Sequence, residues 1–242
     1  MTTIVSIDNN IDTTLQSVKQ NGWALQYMKD QTPEICMEAV KQNGFLLQFV
    51  EDPTPEICMA AVKQDGRALK YVHVQTPEIC MEAVRKHPYH AIQHVRDRTP
   101  ELCMEAVKQN GFALEFVRDQ TLKICLEAVK QNGLALEFVR NQTPEICLEA
   151  VKQDENAFEL VENQTPEICM EAMKRNGWLL ELVENQTPEI CLEAVKNDGR
   201  ALEDVKVQSL LICLEAVKQN KKALEFVRVK YAAKVRHLIS KN

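Results

Sequence analysis

The chain has 242 residues, 45% of them hydrophobic and 26% charged, with a formal net charge of −6, a soluble and foldable balance for one or two ordinary domains. No run approaches the roughly 20 apolar residues of a membrane span, and the opening MTTIVSIDNN lacks a basic region followed by an apolar one, so the sequence predicts a cytoplasmic protein with no membrane partner. The charge is uneven. From Lys218 onward eight basic residues face one acid, Glu225, which leaves residues 1–217 acidic and a poor default partner for a phosphate backbone.

One 22-residue unit fills most of the chain. It reads QTPEICMEAVKQNGFLLQFVED from Gln31 to Asp52 and returns as PTPEIC from Pro53 and QTPEIC from Gln75. A period of 22 repeated about ten times predicts an all-α fold, an α-solenoid (an α/α superhelix) of about ten helix-turn-helix repeats forming one domain over residues 1–242. In chain order, residues 1–30 form an N-terminal cap repeat, with Thr14 in the column that later holds cysteine. Residues 31–229 form nine repeats of 22 or 23 residues, and 230–242 form a C-terminal capping helix with Val235 in that column.

Within each repeat the first helix opens on a hydroxyl, as at Thr32, Thr54 and Ser209, which predicts an N-cap. Proline at the first helical position and glutamate facing the positive end of the dipole strengthen the start in most repeats, as in Thr143-Pro144-Glu145. Ile146, Cys147, Ala150 and Val151 form one apolar stripe, widened by Leu148, that needs neighbours on two sides. All seven glycines fall in one column after Asn or Asp, and the spacing predicts a C-cap there in the left-handed region. A second helix of about two turns follows, with Ala135, Leu136, Phe138 and Val139 directed to the core.

The nine cysteines form a repeat column rather than a disulfide framework, because equivalent positions on stacked helices lie roughly 8–10 Å apart, beyond the reach of a bridge. They read as small buried apolar side chains in a reducing compartment.

These features, above all TPEICMEAVKQNGFLLQFV from Thr32 to Val50, resemble the short tandem repeat of a domain family of unknown function met in giant viruses of amoebae and in bacteria. The resemblance covers about Ile11 to Val229 and implies an α-helical repeat protein, without bringing an activity or ligand. A host-cell cytoplasm and host partners are compatible with it. A weaker similarity is to the DNA-reading repeats of transcription-activator-like effectors, which share a Thr-Pro-Glu start, an Asn-Gly hinge and a later Ala-Leu. Those repeats are longer and are basic where these are acidic.

In a solenoid the constant columns build the core and the changing columns face outward. Immediately after the hinge the chain places Trp23, Phe45, Arg67, His90, Phe112, Leu134, Asn156, Trp178, Arg200 and Lys222. A column at the end of the second helix holds three consecutive arginines, Arg96, Arg118 and Arg140. Exposed aromatics with arginine dominate protein interfaces, so these columns suggest a ribbon that binds a partner protein or peptide. Unrestrained drift of surface positions explains the same variation, as does pairing of the arginines with neighbouring repeats. Nucleic acid is the second partner class, read by the residue after each hinge and assisted by the basic tail.

Neither a nucleophile with a base nor a phosphate-cradling glycine loop is present, and nearly every Glu, Lys and Cys recurs from repeat to repeat, which points away from an enzyme and from a cofactor. One repeat, RKHPYHAIQHV, carries an inserted residue and a cluster of histidines. His90 and His94 are four apart, but no cysteine or carboxylate pattern completes a metal site. If the stacked repeats bury the second helix as the pattern says, Leu136→Ala costs about 2–5 kcal/mol, and a far-ultraviolet melt insensitive to the change refutes that packing.

Overall fold

The computed structural model describes residues 13–240, which are all-α with no strand among the described residues. They build an α-solenoid whose successive helical repeats pack on their neighbours within two compact units, Met1–Asp119 and Gln120–Asn242. The first unit holds α1 (residues 13–20), η1 (Gly22–Tyr27), α2 (Pro33–Gln42), η2 (Gly44–Phe49), α3 (Pro55–Gln64), η3 (Gly66–Tyr71), α4 (Pro77–Lys86), α5 (Pro88–Ile92), α6 (Pro100–Gln109) and η4 (Gly111–Phe116). The second holds α7 (Leu122–Gln131), η5 (Gly133–Phe138), α8 (Pro144–Gln153), η6 (Glu155–Leu160), α9 (Pro166–Arg175), η7 (Gly177–Leu182), α10 (Pro188–Asn197), η8 (Gly199–Asp204), α11 (Leu210–Gln219), η9 (Lys221–Phe226) and α12 (Val229–Ile239). Residues 1–12 of the expected cap repeat and 241–242 of the expected capping helix lie outside the described residues.

The long helices start as the sequence predicts. Thr32 Oγ1 accepts from Ile35 N–H, Thr143 Oγ1 from Ile146 N–H and Ser209 Oγ from Ile212 N–H, at 3.3–3.4 Å. Each long helix then buries its apolar stripe, as Ile146, Cys147, Ala150 and Val151 do.

The second element differs from expectation: in all but one described repeat it is a six-residue 3₁₀ helix. Asn43 O accepts from Leu46 N–H at 3.0 Å, three residues on, and Leu47 O accepts from Val50 N–H at 3.1 Å. This tighter winding turns Ala135, Leu136 and Val139 inward but leaves Phe138 half-buried at the surface, which corrects its assignment to the core. The exception is α5. With its inserted residue it becomes a single α-turn in which Ala91 N–H donates to His87 O at 2.8 Å, four residues back rather than three. The extra residue is thus taken up inside the repeat, and Ala91 and Ile92 still reach the core.

The hinge glycines have a different reason from the one expected. No described residue has a positive φ. Asn43, with φ −151° and ψ 112°, both ends α2 and caps η2 by accepting from Phe45 N–H at 3.0 Å. Glycine is required by approach. A Cβ on Gly44 would lie 2.4 Å from Ala61 O of the next long helix, and one on Gly177 2.4 Å from Ala194 O.

Two side-chain amides lock neighbouring repeats at this contact. Gln64 Oε1 accepts from Gly44 N–H at 2.7 Å, and Gln42 accepts from Gly22 N–H at 2.8 Å while donating to Val18 O at 2.7 Å. At the other edge Gln31 donates to Phe49 O at 2.8 Å and accepts from Glu51 N–H at 3.1 Å. Gln75, Gln120, Gln142, Gln164, Gln186 and Gln208 make the same two bonds one repeat on. Each amide satisfies a donor and an acceptor of a strip of backbone that no regular ladder pairs.

Deviations from the pattern are compensated. Glu155 replaces glycine and Arg175 replaces the glutamine that would meet it, and the two lie 3.7 Å apart as an ion pair. His87 Nδ1 accepts from Gly66 N–H at 3.1 Å where other repeats use an amide. We expect Gly177→Ala to destabilise the protein by about 1–3 kcal/mol in urea unfolding despite alanine's higher helix propensity, because the methyl overpacks against a carbonyl oxygen. Glu155→Ala, where a side chain is already accommodated, should stay within about 0.5 kcal/mol.

Candidate functional site

The short helices carry the variable side chains, and in the first unit they build an aromatic surface. Asn21, Asn43 and Asp65 cap η1, η2 and η3 through the N–H of Trp23, Phe45 and Arg67, which fixes where those three side chains leave the backbone. Trp23 is 45% exposed and stands edge-on to Phe49 of the next repeat, ring centres 6.0 Å apart. Phe45 repeats the contact with Tyr71 at 6.3 Å. Cations cover the same rings: the Arg67 guanidinium lies 5.2 Å from the Phe45 centroid, and Lys70 Nζ lies 5.3 Å from Phe45 and 4.6 Å from Tyr71. Asp65 fixes Arg67 from the side, accepting from its Nη2 at 2.7 Å and its Nε at 3.0 Å, and these bonds hold the Asp65 carboxyl below its ordinary value against the opposing effect of burial.

In the repeat with the insertion His90 is exposed as expected, but the aromatic contact passes to Tyr89, whose ring lies 5.1 Å from Phe116 and 5.5 Å from His90. Tyr89 O–H donates to Glu115 Oε2 at 2.6 Å, and that bond raises the tyrosine pKa. Phe112 of η4 is half-buried.

The sequence-derived set therefore misses half of each contact. Phe49 and Tyr71 end short helices and receive the residue after the preceding hinge, Phe116 receives Tyr89, and Tyr27 at the end of η1 is 82% exposed. The available signal was the frequent Phe or Tyr at that position, which reads as core if the element is taken for an α-helix.

The second unit carries one counterpart. The Trp178 indole N–H donates to Asp198 Oδ2 at 3.0 Å, Arg200 lies 4.8 Å from the indole centroid, and its Nη2 donates to the same carboxylate oxygen at 3.0 Å. Leu134 is half-buried. The position that holds Gln26, Gln48, Lys70, Gln93 and Glu115 in the first unit is an exposed glutamate in every repeat of the second, at 137, 159, 181, 203 and 225. Asp204, beside two of them, has a raised pKa through burial first and then the charges of Glu181 and Glu203.

The basic column at the repeat ends is exposed at Arg96, Arg118 and Arg140, but part of it braces the fold. Arg96 Nη1 donates to His73 O at 2.7 Å, Lys206 Nζ to Val183 O at 3.0 Å and Arg228 Nη2 to Lys206 O at 2.7 Å, each reaching the repeat before it. Arg96 and Arg118 belong to the first unit and Arg140 to the second.

All nine cysteines are buried free thiols, and burial raises the pKa of each. Among the described residues no group of three or more His, Cys, Asp or Glu is placed to hold a metal ion, and no helix is long and apolar enough to cross a membrane.

A family model described as "Domain of unknown function (DUF4116)" matches the chain in eight overlapping windows: 10–54, 32–75, 54–99, 76–123, 99–143, 122–165, 165–211 and 187–231. Each window spans two repeats, and the one long step, from 122 to 165, passes over the repeat in which Glu155 replaces glycine. No curated protein and no solved structure matches the chain.

The Trp178 cluster predicts an acid transition. The Arg200 hydrogen bonds, opposed by burial, lower the Asp198 pKa. Its contribution is therefore fully present above the ordinary aspartate pKa of about 3.9 and is lost as pH falls through the lower folded value. In a Trp23→Phe background we expect Trp178 emission to change below about pH 4 before helical ellipticity is lost, and Asp198→Asn to abolish that step. Asparagine caps other short helices at this position, so the variant should fold. An identical titration of both proteins refutes the coupling.

Proposed function

The chain belongs to the DUF4116 family, and we propose that it is a non-enzymatic scaffold that binds partner proteins or peptides through the variable side chains of its short helices. The observation that carries this reading is the aromatic surface of the first unit, where Trp23, 45% exposed, meets Phe49, Phe45 meets Tyr71, and Tyr27 at the end of η1 is 82% exposed. Rings of this size held at the surface by a locked backbone lose little conformational entropy on binding and provide large contact areas. Arg67, fixed by Asp65 and stacked on Phe45, adds a preorientated donor of the kind that anchors interfaces.

No enzymatic family is indicated by the match. The scaffold's working compartment is a reducing one, as nine buried thiols suit.

Exposed rings with Arg67 and Lys70 against Phe45 and Tyr71 also favour a second reading, in which the same face accepts the bases of a single-stranded nucleic acid. Salt separates the two, because nucleic-acid affinity falls steeply with ionic strength through counterion release. The test is capture by the immobilised protein from nuclease-treated lysate, followed by anisotropy titration of the purified partner. We expect Trp23→Ala with Tyr27→Ala to weaken the captured protein at least ten-fold with an unchanged melting temperature. Equal capture by the variant refutes the protein-binding face, and binding to a labelled single-stranded oligonucleotide with a steep salt slope transfers it to the second reading.

A further inference from the structure

One joint inside the first unit is held by a side chain that can gain a proton. At five hinges the glycine N–H donates to a side-chain amide of the following repeat: Gly22 to Gln42, Gly44 to Gln64, Gly133 to Gln153, Gly177 to Asn197 and Gly199 to Gln219. An amide oxygen accepts equally well at every pH at which the protein is folded. For Gly66 the corresponding position is Lys86, which has no acceptor, and the bond passes to His87, the residue that ends α4. His87 Nδ1 accepts from Gly66 N–H at 3.1 Å, and that bond exists only while Nδ1 carries no proton.

The same nitrogen faces a second partner. Asp65 Oδ1 lies 3.4 Å from His87 Nδ1, and Asp65 is buried. The Arg67 hydrogen bonds, against the effect of burial, hold the Asp65 carboxyl below its ordinary value, so it is an anion throughout the range in which histidine gains its proton. Without a proton Nδ1 satisfies the buried Gly66 N–H. With one it becomes a donor to Asp65 and can no longer accept.

The remaining charged groups on the elements around the ring are engaged elsewhere or face solvent. Glu105 of α6 lies 3.7 Å from Arg85, Glu115 of η4 accepts from the Tyr89 hydroxyl, and Lys70 of η3 lies over Phe45 and Tyr71. Lys63 of α3, Lys86 of α4, His90 of α5 and Lys108 of α6 are exposed. Arg67 is joined to the site by Asp65, whose Oδ1 accepts from its backbone N–H at 2.9 Å and from its Nε at 3.0 Å.

We propose that His87 is a pH-sensitive lock between η3 and α4: neutral, it holds the Gly66 N–H, and protonated, it gives its Nδ1–H to Asp65 and releases that N–H. The proton comes from solvent. Release leaves a buried donor unsatisfied beside Ala83 O, at the contact where a Cβ on Gly66 would overlap that oxygen. Acidification therefore loosens this joint, while the amide-held hinges keep their bonds. The carboxylate that receives the imidazolium also carries Arg67 over Phe45, so the change reaches the aromatic surface, although the lock itself needs no partner there.

Glycine-selective ¹⁵N labelling of the full chain gives one amide signal for each of the seven glycines, and ¹⁵N-histidine labelling reports the ring nitrogens. We expect protection of the Gly66 amide from hydrogen exchange, relative to its intrinsic rate, to fall about ten-fold between about pH 8 and pH 5. The midpoint should be that of the His87 Nδ1 signal, and Gly44 and Gly199 should keep their protection. His87→Asn puts a neutral amide oxygen on the same Cγ and should hold Gly66 protection constant over the range. Unchanged Gly66 protection in the natural chain, or a midpoint different from that of His87 Nδ1, overturns the proposal. So does the same fall in the His87→Asn variant, which assigns it to His73, His90 or His94. If that variant lacks native far-ultraviolet ellipticity, the two midpoints in the natural chain decide alone.

Discussion

Gly44, Gly66, Gly133, Gly177 and Gly199 each lie against the backbone carbonyl of an alanine in the next long helix, and the spacing of those repeats depends on that approach. A Cβ at Gly44 or Gly177 would be 2.4 Å from the oxygen, closer than any contact a packed interior tolerates. The same closeness lets an amide from the neighbouring helix reach the glycine N–H, as Gln64 does for Gly44. Steric necessity and polar satisfaction thus act at one point, and together they set the register of adjacent repeats in each unit. Where glycine is lost, the second residue changes with it, as Glu155 and Arg175 show.

This arrangement explains why so much of the repeat is constant although only part of it is apolar. The glutamines before most Thr-Pro turns and most hinges recur alongside the buried Ile-Cys-Ala-Val stripe, because short 3₁₀ helices leave backbone groups that side chains must satisfy. Gln31 and Gln208 make the same pair of bonds in different units. The thiol of Cys147 donates to Gln142 at 3.3 Å, so even the cysteine column contributes to this lock.

On so regular a frame the variable residues do not act singly. A residue after one hinge touches the end of the following short helix, as Trp23 does Phe49, so such surface contacts are shared by pairs of repeats. Family windows two repeats long agree with that unit of organisation. The two units differ in one column, which reads Gln26, Gln48, Lys70, Gln93 and Glu115 in the first and a glutamate in every repeat of the second.

Much of this was legible without coordinates. Period, caps and the core columns are local or strictly repeated properties, so the N-cap at Thr143 and the buried Leu136 could be read from spacing alone. Exposure of Trp23, Arg67 and Trp178 followed from their variability. Two things could not be read. Six residues are too few for the hydrophobic pattern to separate a period of 3.0 from one of 3.6, so the 3₁₀ winding, and with it the surface position of Phe138 and Phe49, emerged only in the folded chain. The role of glycine was assigned to backbone freedom, whereas extended hinge geometry and a neighbour's carbonyl decide it. The sequence by itself determined the repeat and the residues that must be inside it, because each is written many times along one chain. Only the tertiary structure decided how closely neighbours approach and which side chains meet across that approach, because those are properties of two repeats in contact.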